Sequence, residues 1–340
     1  RKMTRPGRLI LAAAMFAAAA VIFAACSTVP NEHDTTGSRV TRSHGPTHAD
    51  IASHPASGID TPLDTGSATS GFWKHWGDGK AEISGYHIET NRYGEMREGT
   101  VALIYVTEPM DERTWIKDDN GDVPDNKRVK VLKLNHSLKF QTGIYPYSVM
   151  TSVFAPVDGN GRERFAPAKI SVSAQEWCGH VYQQIHPKGD HFWSEGHSYF
   201  GTEGDSAARV ATDPFTLYED ALLIQLRELD GPFAGGRDWS GKLVPSMWYA
   251  RKAHVPLEPV PATITRSNAT REGTPVTRFV ISLGETTRTV DVEQAQPRRV
   301  LGWTTSDGER AELVGTERLP YWKLNRNGDE SYLTRIGLAD

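Results

Sequence analysis

From residue 80 onward the chain alternates short runs rich in β-branched and aromatic residues with clusters of turn-forming residues. That rhythm constrains the fold more than any other feature, because such runs fit a pleated, half-buried surface. The runs fall at 80–90, 100–108, 128–140, 147–155, 168–184 and 197–203, then at 260–267, 275–283, 286–294, 298–305 and 309–318. Gly284-Glu285 and Asp307-Gly308 sit where two-residue hairpin turns fall. Asp158–Gly161 and Asn325–Asp329 read as longer hairpin loops. Strands joined by short turns pair antiparallel, since parallel pairs need crossovers of a dozen residues or more.

One segment breaks the pattern. Asp213 can cap a helix that Pro214 opens, and Phe215, Leu217, Tyr218, Ala221, Leu222, Ile224, Leu226 and Leu229 supply a broad apolar face. Glu219, Asp220, Arg227 and Glu228 lie opposite, and Gly231-Pro232 ends the run. The expected fold is therefore a mainly β domain over 71–340. Its antiparallel sheet is strongly curved, or an open half-barrel, with helix 214–229 packed on the concave side. Two tryptophans at its start, Trp73 and Trp76, read as a hydrophobic plug.

The first 26 residues carry an address. Arg1, Lys2, Arg5 and Arg8 precede an uncharged apolar run from Leu9 to Ala25, the layout of a secretory signal. Phe23-Ala24-Ala25-Cys26 resembles the lipobox of bacterial lipoproteins, although Leu is usual where Phe23 stands. The resemblance implies cleavage of residues 1–25, diacylation of Cys26 and acylation of the new amino terminus. Three acyl chains exceed the two that suffice for stable anchoring. Ser27, in place of the Asp that marks inner-membrane retention, points to the outer membrane and a periplasmic domain. Residues 26–70 then form a lipidated, disordered tether of Ser, Thr, His, Asp, Gly and Pro.

Removing residues 1–25 subtracts four positive charges, so the formal net charge goes from −4 to −8. A mildly acidic chain argues against nucleic acid as a partner. Only two cysteines exist, and with Cys26 assigned to lipid, Cys178 has no partner for a disulfide. A lone exposed thiol is a liability in an oxidising compartment, so Cys178 is expected to be buried.

The densest chemical stretch is Glu176-Trp177-Cys178-Gly179-His180, continuing to His186, His191, Glu195 and His197. On one strand, the two-residue period would place Glu176, Cys178 and His180 on one face, the ingredients of thiolate catalysis. Neighbours on a strand face are about 6.6–7 Å apart, however, too far for a direct Cys–His hydrogen bond. His186, His191 and His197 could ligate a metal, but their spacing matches no zinc signature. Gly196-His197-Ser198-Tyr199-Phe200 lacks the last glycine of a nucleophile elbow. No cofactor motif of the Walker A, Rossmann or kinase type occurs.

Several blocks resemble an uncharacterised family of bacterial envelope lipoproteins. They are Phe72–Glu82, Arg92-Tyr93-Gly94, Phe140–Tyr145, Glu176–Gly179 and Tyr321-Trp322. Members of that family have carried the label of the septum-formation inhibitor Maf. Maf proteins are α/β pyrophosphatases with a Ser-x-Ser-Pro-Arg-Arg loop near the start, whereas only Pro297-Arg298-Arg299 echoes it here. The expectation is thus a membrane-anchored, non-enzymatic lipoprotein with no cofactor, binding a hydrophobic or envelope ligand in its concavity. The alternatives are a hydrolase or transferase using Cys178 and His180, and a scaffold that binds other envelope proteins.

Overall fold

The computed structural model describes residues 66–159, 163–229 and 238–339. The signal segment, Cys26, the tether as far as residue 65, Asn160-Gly161 and Gly231-Pro232 lie outside the described residues. The domain is one sheet. Its first half runs through β1 (Ala81–Arg92), β2 (Glu95–Asp111), β4 (Arg128–Thr142), β5 (Tyr145–Pro156), β6 (Lys169–Glu176), β7 (Gly179–Pro187), β8 (His191–Ser198) and β9 (Ser206–Ala211). The short β3 (Ile116–Lys117) pairs only with β2. The second half begins at β10 (Leu217–Tyr218) and passes through β11 (Trp239–Val244), β12 (Val260–Arg271), β13 (Thr274–Leu283), β14 (Thr286–Glu293) and β15 (Val300–Thr305). It ends in β16 (Arg310–Leu319), which pairs with β1 and so joins the two meanders.

Curvature follows from connectivity. Laid flat, fifteen strands at about 4.8 Å spacing would put edges β9 and β10 roughly 67 Å apart. Yet Ala211 and Leu217 are joined by the five residues 212–216, which span about 20 Å at most. The sheet must curl until its edges nearly meet. It stays open, because β9 and β10 do not pair. Among the described residues every strand pair is antiparallel except β10–β11, which is parallel.

Alternate residues of each strand face the concave side, where Tyr86, Leu103, Tyr105, Leu134, Leu138, Phe279 and Trp303 form one buried core. Helix α1 (Ser70–Trp76), capped by Thr69 Oγ1, inserts Phe72 and Trp76 into it; of the two tryptophans expected to plug the domain, Trp76 does so and Trp73 is only half-buried against the core. The expected helix 214–229 is shorter than the sequence suggests. Leu217-Tyr218 is strand β10, Glu219–Ala221 is a 3-10 turn, and only α2 (Leu222–Glu228) is α-helical. Asp213 closes a turn onto Phe215 N instead of capping a helix. Residues Leu222 through Arg227 are all buried, so α2 lies within the concavity and has no solvent face. Helix α3 (Met247–Ala253) covers the end of the concavity near β5 and β6.

The convex face of β1 and β16 is covered by α4 (Ser331–Arg335) and the residues after it. The approach is close: a Cβ on Gly85 would lie 1.8 Å from the backbone oxygen of Ile336, and one on Gly315 would lie 2.4 Å from that of Arg335. Gly85→Ala should therefore detach the C-terminal segment, raising amide exchange at 331–338 while leaving the inward core protected. Unchanged exchange there would contradict this packing.

Candidate functional site

Near the start of α2 the concavity holds a cavity of about 70 Å³, and a larger, more open pocket lies between α3 and strands β7 and β8. Strands β4 and β5 provide Leu134, His136, Leu138, Thr151 and Val153 as one wall. The turn before α2 provides Glu219 and Asp220, and α3 provides Trp248, Tyr249 and Lys252. Strand β14 and the β15–β16 hairpin complete it with Thr286, Arg288, Thr305, Asp307 and Glu309.

Most of these polar groups are held in place. Glu219 Oε2 and Asp220 Oδ2 accept the backbone N–H groups of Ser246 and Met247, each at 2.9 Å, so two carboxylates cap α3 from outside its own sequence. Arg288 donates to Glu219 at 3.2 Å and lies 3.8 Å from Glu309. Glu309 also accepts from the Trp303 indole at 3.0 Å and the Thr90 hydroxyl at 2.8 Å. Lys252 donates to Asp307 at 2.9 Å, and the Tyr249 and Thr286 hydroxyls are 3.1 Å apart. Three buried atoms on the lining residues have no partner: His136 Nε2, Arg288 Nε and Trp248 Nε1.

Burial pushes Asp220 up to about 6, helped by the neighbouring Glu219 charge and opposed by the Met247 N–H. Burial pulls His136 down to about 4, with Arg288 acting in the same direction and Glu309 against it. His136 is thus neutral at pH 7. The two shifts have opposite linkage. A raised carboxyl contributes stability that is full below about 3.8 and lost as pH rises through 6. A depressed histidine contributes stability that is full above about 6.5 and lost as pH falls towards 4. His136→Phe should therefore flatten the loss of stability between pH 6.5 and 4, and Asp220→Asn should steepen it. Melting temperatures across that window check both signs.

The catalytic and metal candidates fare differently. The expected strand 168–184 is two strands, and Trp177-Cys178 is the two-residue turn between β6 and β7. Cys178 is exposed, not buried, which corrects the expectation drawn from its lack of a partner. A tight turn at a sheet end leaves its side chains outside the core. Glu176 Oε2 accepts the Cys178 N–H at 2.6 Å, and that carboxylate pushes the thiol pKa up, away from thiolate. His180 is an exposed residue of β7 opposite Gln175, so Glu176, Cys178 and His180 do not share one strand face.

His186 on β7 is held near 4 by burial and by Lys169. His191 Nδ1 lies 2.5 Å from Asp190, and His197 Nδ1 lies 3.1 Å from Asp205. Glu195 accepts from Trp193 and Gln184. Among the described residues no three His, Cys, Asp or Glu side chains converge as a metal site. Ser198 donates to Glu203 at 2.6 Å rather than to a histidine.

No protein-family model matches the chain, and no curated protein does. Among solved structures, the chain is similar to the crystal structure of a β-barrel-like protein of a domain of unknown function, DUF1849, from Brucella abortus. The match has 8% identity and a TM-score of 0.43, covering 70% of this chain and 98% of that one.

Proposed function

We propose that this is a non-enzymatic binding domain of the bacterial envelope, held at a membrane through a lipidated Cys26 and turned to the periplasm. Its ligand enters the cavity beside α2. The observation that carries this is the cavity itself, where His136, Arg288 and Trp248 line one space with Glu219, Asp220 and Asp307. An entire acyl chain has no room unless α2 leaves, so a hydrophobic envelope ligand would insert only its head group or tip.

Native mass spectrometry of the intact protein tests this. Wild type and Cys178→Ser should carry the same non-polypeptide mass, lost on denaturation. A bare polypeptide would count against the proposal, and a mass lost only in the Cys178 variant would favour the Cys/His hydrolase or transferase.

A second reading rests on a different surface. Tyr93, Ile144, Trp177 and Tyr199 sit at the β1–β2, β4–β5, β6–β7 and β8–β9 hairpin tips and are 60%, 79%, 70% and 72% exposed. Alternate connections of a meander fall on one side, so these tips share one end of the sheet. Exposed large apolar side chains of that kind, three aromatic and one aliphatic, suit an envelope assembly scaffold. Their joint replacement by Ser should abolish capture of an envelope protein while leaving the bound mass intact.

A further inference from the structure

We infer that β9 is a docking edge: it takes up an extended segment of another protein as one further strand, with an acidic side chain of that segment facing Arg209. This surface is separate from the α2 cavity and from the hairpin tips. Strand β9 pairs with β8 alone and ends the strand order. The Thr212 N–H donates to the Asp190 carbonyl at 2.8 Å and the Ser198 N–H to that of Gly204 at 3.2 Å, which fixes the phase of the ladder. In that phase Ser206, Ala208 and Val210 bond to β8, while Ala207, Arg209 and Ala211 turn their N–H and C=O groups outward. Among the described residues none bonds to these outward groups, and all three residues are exposed.

Natural sheet edges are usually blunted by proline, a bulge, charged side chains or a cover. The register of β9 with β8 is unbroken, its inward side chains are Ser206, Ala208 and Val210, and it contains no proline. The opposite edge, β10, is only two residues long and is buried. The open ladder from Ala207 to Ala211 is about 14 Å long, enough for about five residues of a guest strand. The one blunting device on β9 is the charge of Arg209, and that charge decides the occupant.

Two copies of this chain, paired antiparallel through all three outward residues, would set Arg209 directly opposite Arg209 of the other copy. Like charges in that position are destabilising, whereas opposite charges attract. Only Nη2 of Arg209 is engaged, 3.3 Å from Asp190 and 3.1 Å from His191, so Nε and Nη1 are open to a carboxylate. On the concave face the guest meets only small side chains. Beside Ser206 lies the pocket of about 450 Å³ under α3, with Val181, Met247, Ala250, Val255 and Leu257 in its wall. The guest therefore alternates, acidic or polar towards Arg209 and apolar towards the concavity. In such strand addition the main chain supplies affinity and the alternate side chains supply specificity.

The test is fluorescence anisotropy of a labelled peptide, acetyl-Thr-Val-Glu-Val-Thr-Leu-Ser-amide, with the intact protein, followed by amide exchange at saturation. In the free protein Ala207, Arg209 and Ala211 should exchange quickly, and Ala208 and Val210 slowly. The expected result is saturable binding that slows those three outward amides. The same peptide with Lys in place of Glu should bind at least about fivefold more weakly. Ala207→Pro/Ala211→Pro removes two outward donors and no bond to β8, because proline suits an edge position whose N–H faces solvent. It should abolish binding. If that variant does not fold, Arg209→Glu serves instead and should reverse the preference between the two peptides. Absence of saturable binding by either peptide up to about 1 mM would overturn the proposal. So would binding that leaves the three amides unchanged, or binding retained by the proline variant. Concentration-dependent dimerisation that protects the same amides would also overturn it, by giving the edge to a second copy.

Discussion

Arg227→Met should destabilise the domain by about 3–5 kcal/mol, the usual effect of removing one partner from a buried ion pair. Arg227 is 2% exposed and Glu82 fully buried, with Nη1 donating to Oε1 at 2.7 Å. The guanidinium also lies 4.5 Å from the Tyr105 centroid and 5.2 Å from that of Trp76, and it donates to the Pro297 carbonyl at 3.0 Å. It therefore ties α2 to β1, β2, α1 and the β14–β15 connection at once. Without it, the Glu82 carboxylate would keep only His75, 3.0 Å away. Burial drives the Glu82 pKa up, but Arg227 and His75 together hold it at about 2. A depressed carboxyl contributes stability that is full above about 4.5 and lost as pH falls towards 2. The penalty of Arg227→Met should accordingly shrink between pH 7 and 3. The double variant Glu82→Gln/Arg227→Met should recover much of it. Urea unfolding at the two pH values checks both statements, and a pH-independent penalty would contradict the pairing.

Trp303→Ala should cost a similar amount, about 3–5 kcal/mol, through the cavity left by a buried tryptophan. Trp303 is 1% exposed, with Tyr86 and His136 rings at 5.1 and 5.8 Å and the Arg288 guanidinium at 5.6 Å. Its indole also fixes Glu309, which faces the ligand cavity. Trp303→Phe separates the two contributions: it keeps most of the packing and loses the donor, an effect of about 1–3 kcal/mol. Thermal unfolding of both variants measures the difference. Equal losses would mean that the indole hydrogen bond contributes nothing.

The β class was legible because inward and outward residues alternate along many strands, and Gly284-Glu285 is the two-residue turn expected of it, while Asp307-Gly308 lies at the centre of a four-residue connection, 306–309, rather than forming a two-residue turn. Trp177-Cys178 was hidden for a physical reason. Neither residue adopts a positive φ, so their turn carries no glycine or asparagine signature, and two strands read as one. The segment from Asp213 to Leu229 was overread as one amphipathic helix. Leu217-Tyr218 is claimed instead by parallel pairing with Leu243-Val244. Glu219 and Asp220 looked like a solvent face, yet they cap α3, 27 residues on. No local pattern reports a partner at that distance.

The cavity itself left a signal that was available. In β4 the inward series Leu132, Leu134, His136, Leu138, Phe140 contains one polar member, and in β14 the series Thr286, Arg288, Val290, Val292 contains one cation. A polar residue at an inward strand position needs a partner, and here the two lie in one cavity. The stretch from Glu176 to His197 drew attention by density alone, and the sheet distributes those groups among separate contacts.

The most direct test of the cavity as the ligand site is to fill it. Thr151, buried on β5, faces this space, and Thr151→Phe would occupy it with a ring. Wild type and variant, purified side by side as intact protein and matched for circular dichroism, would be compared by native mass spectrometry. A bound mass on the wild type that Thr151→Phe lacks is the predicted result. The same mass on both proteins would place the ligand elsewhere and contradict the assignment of this cavity.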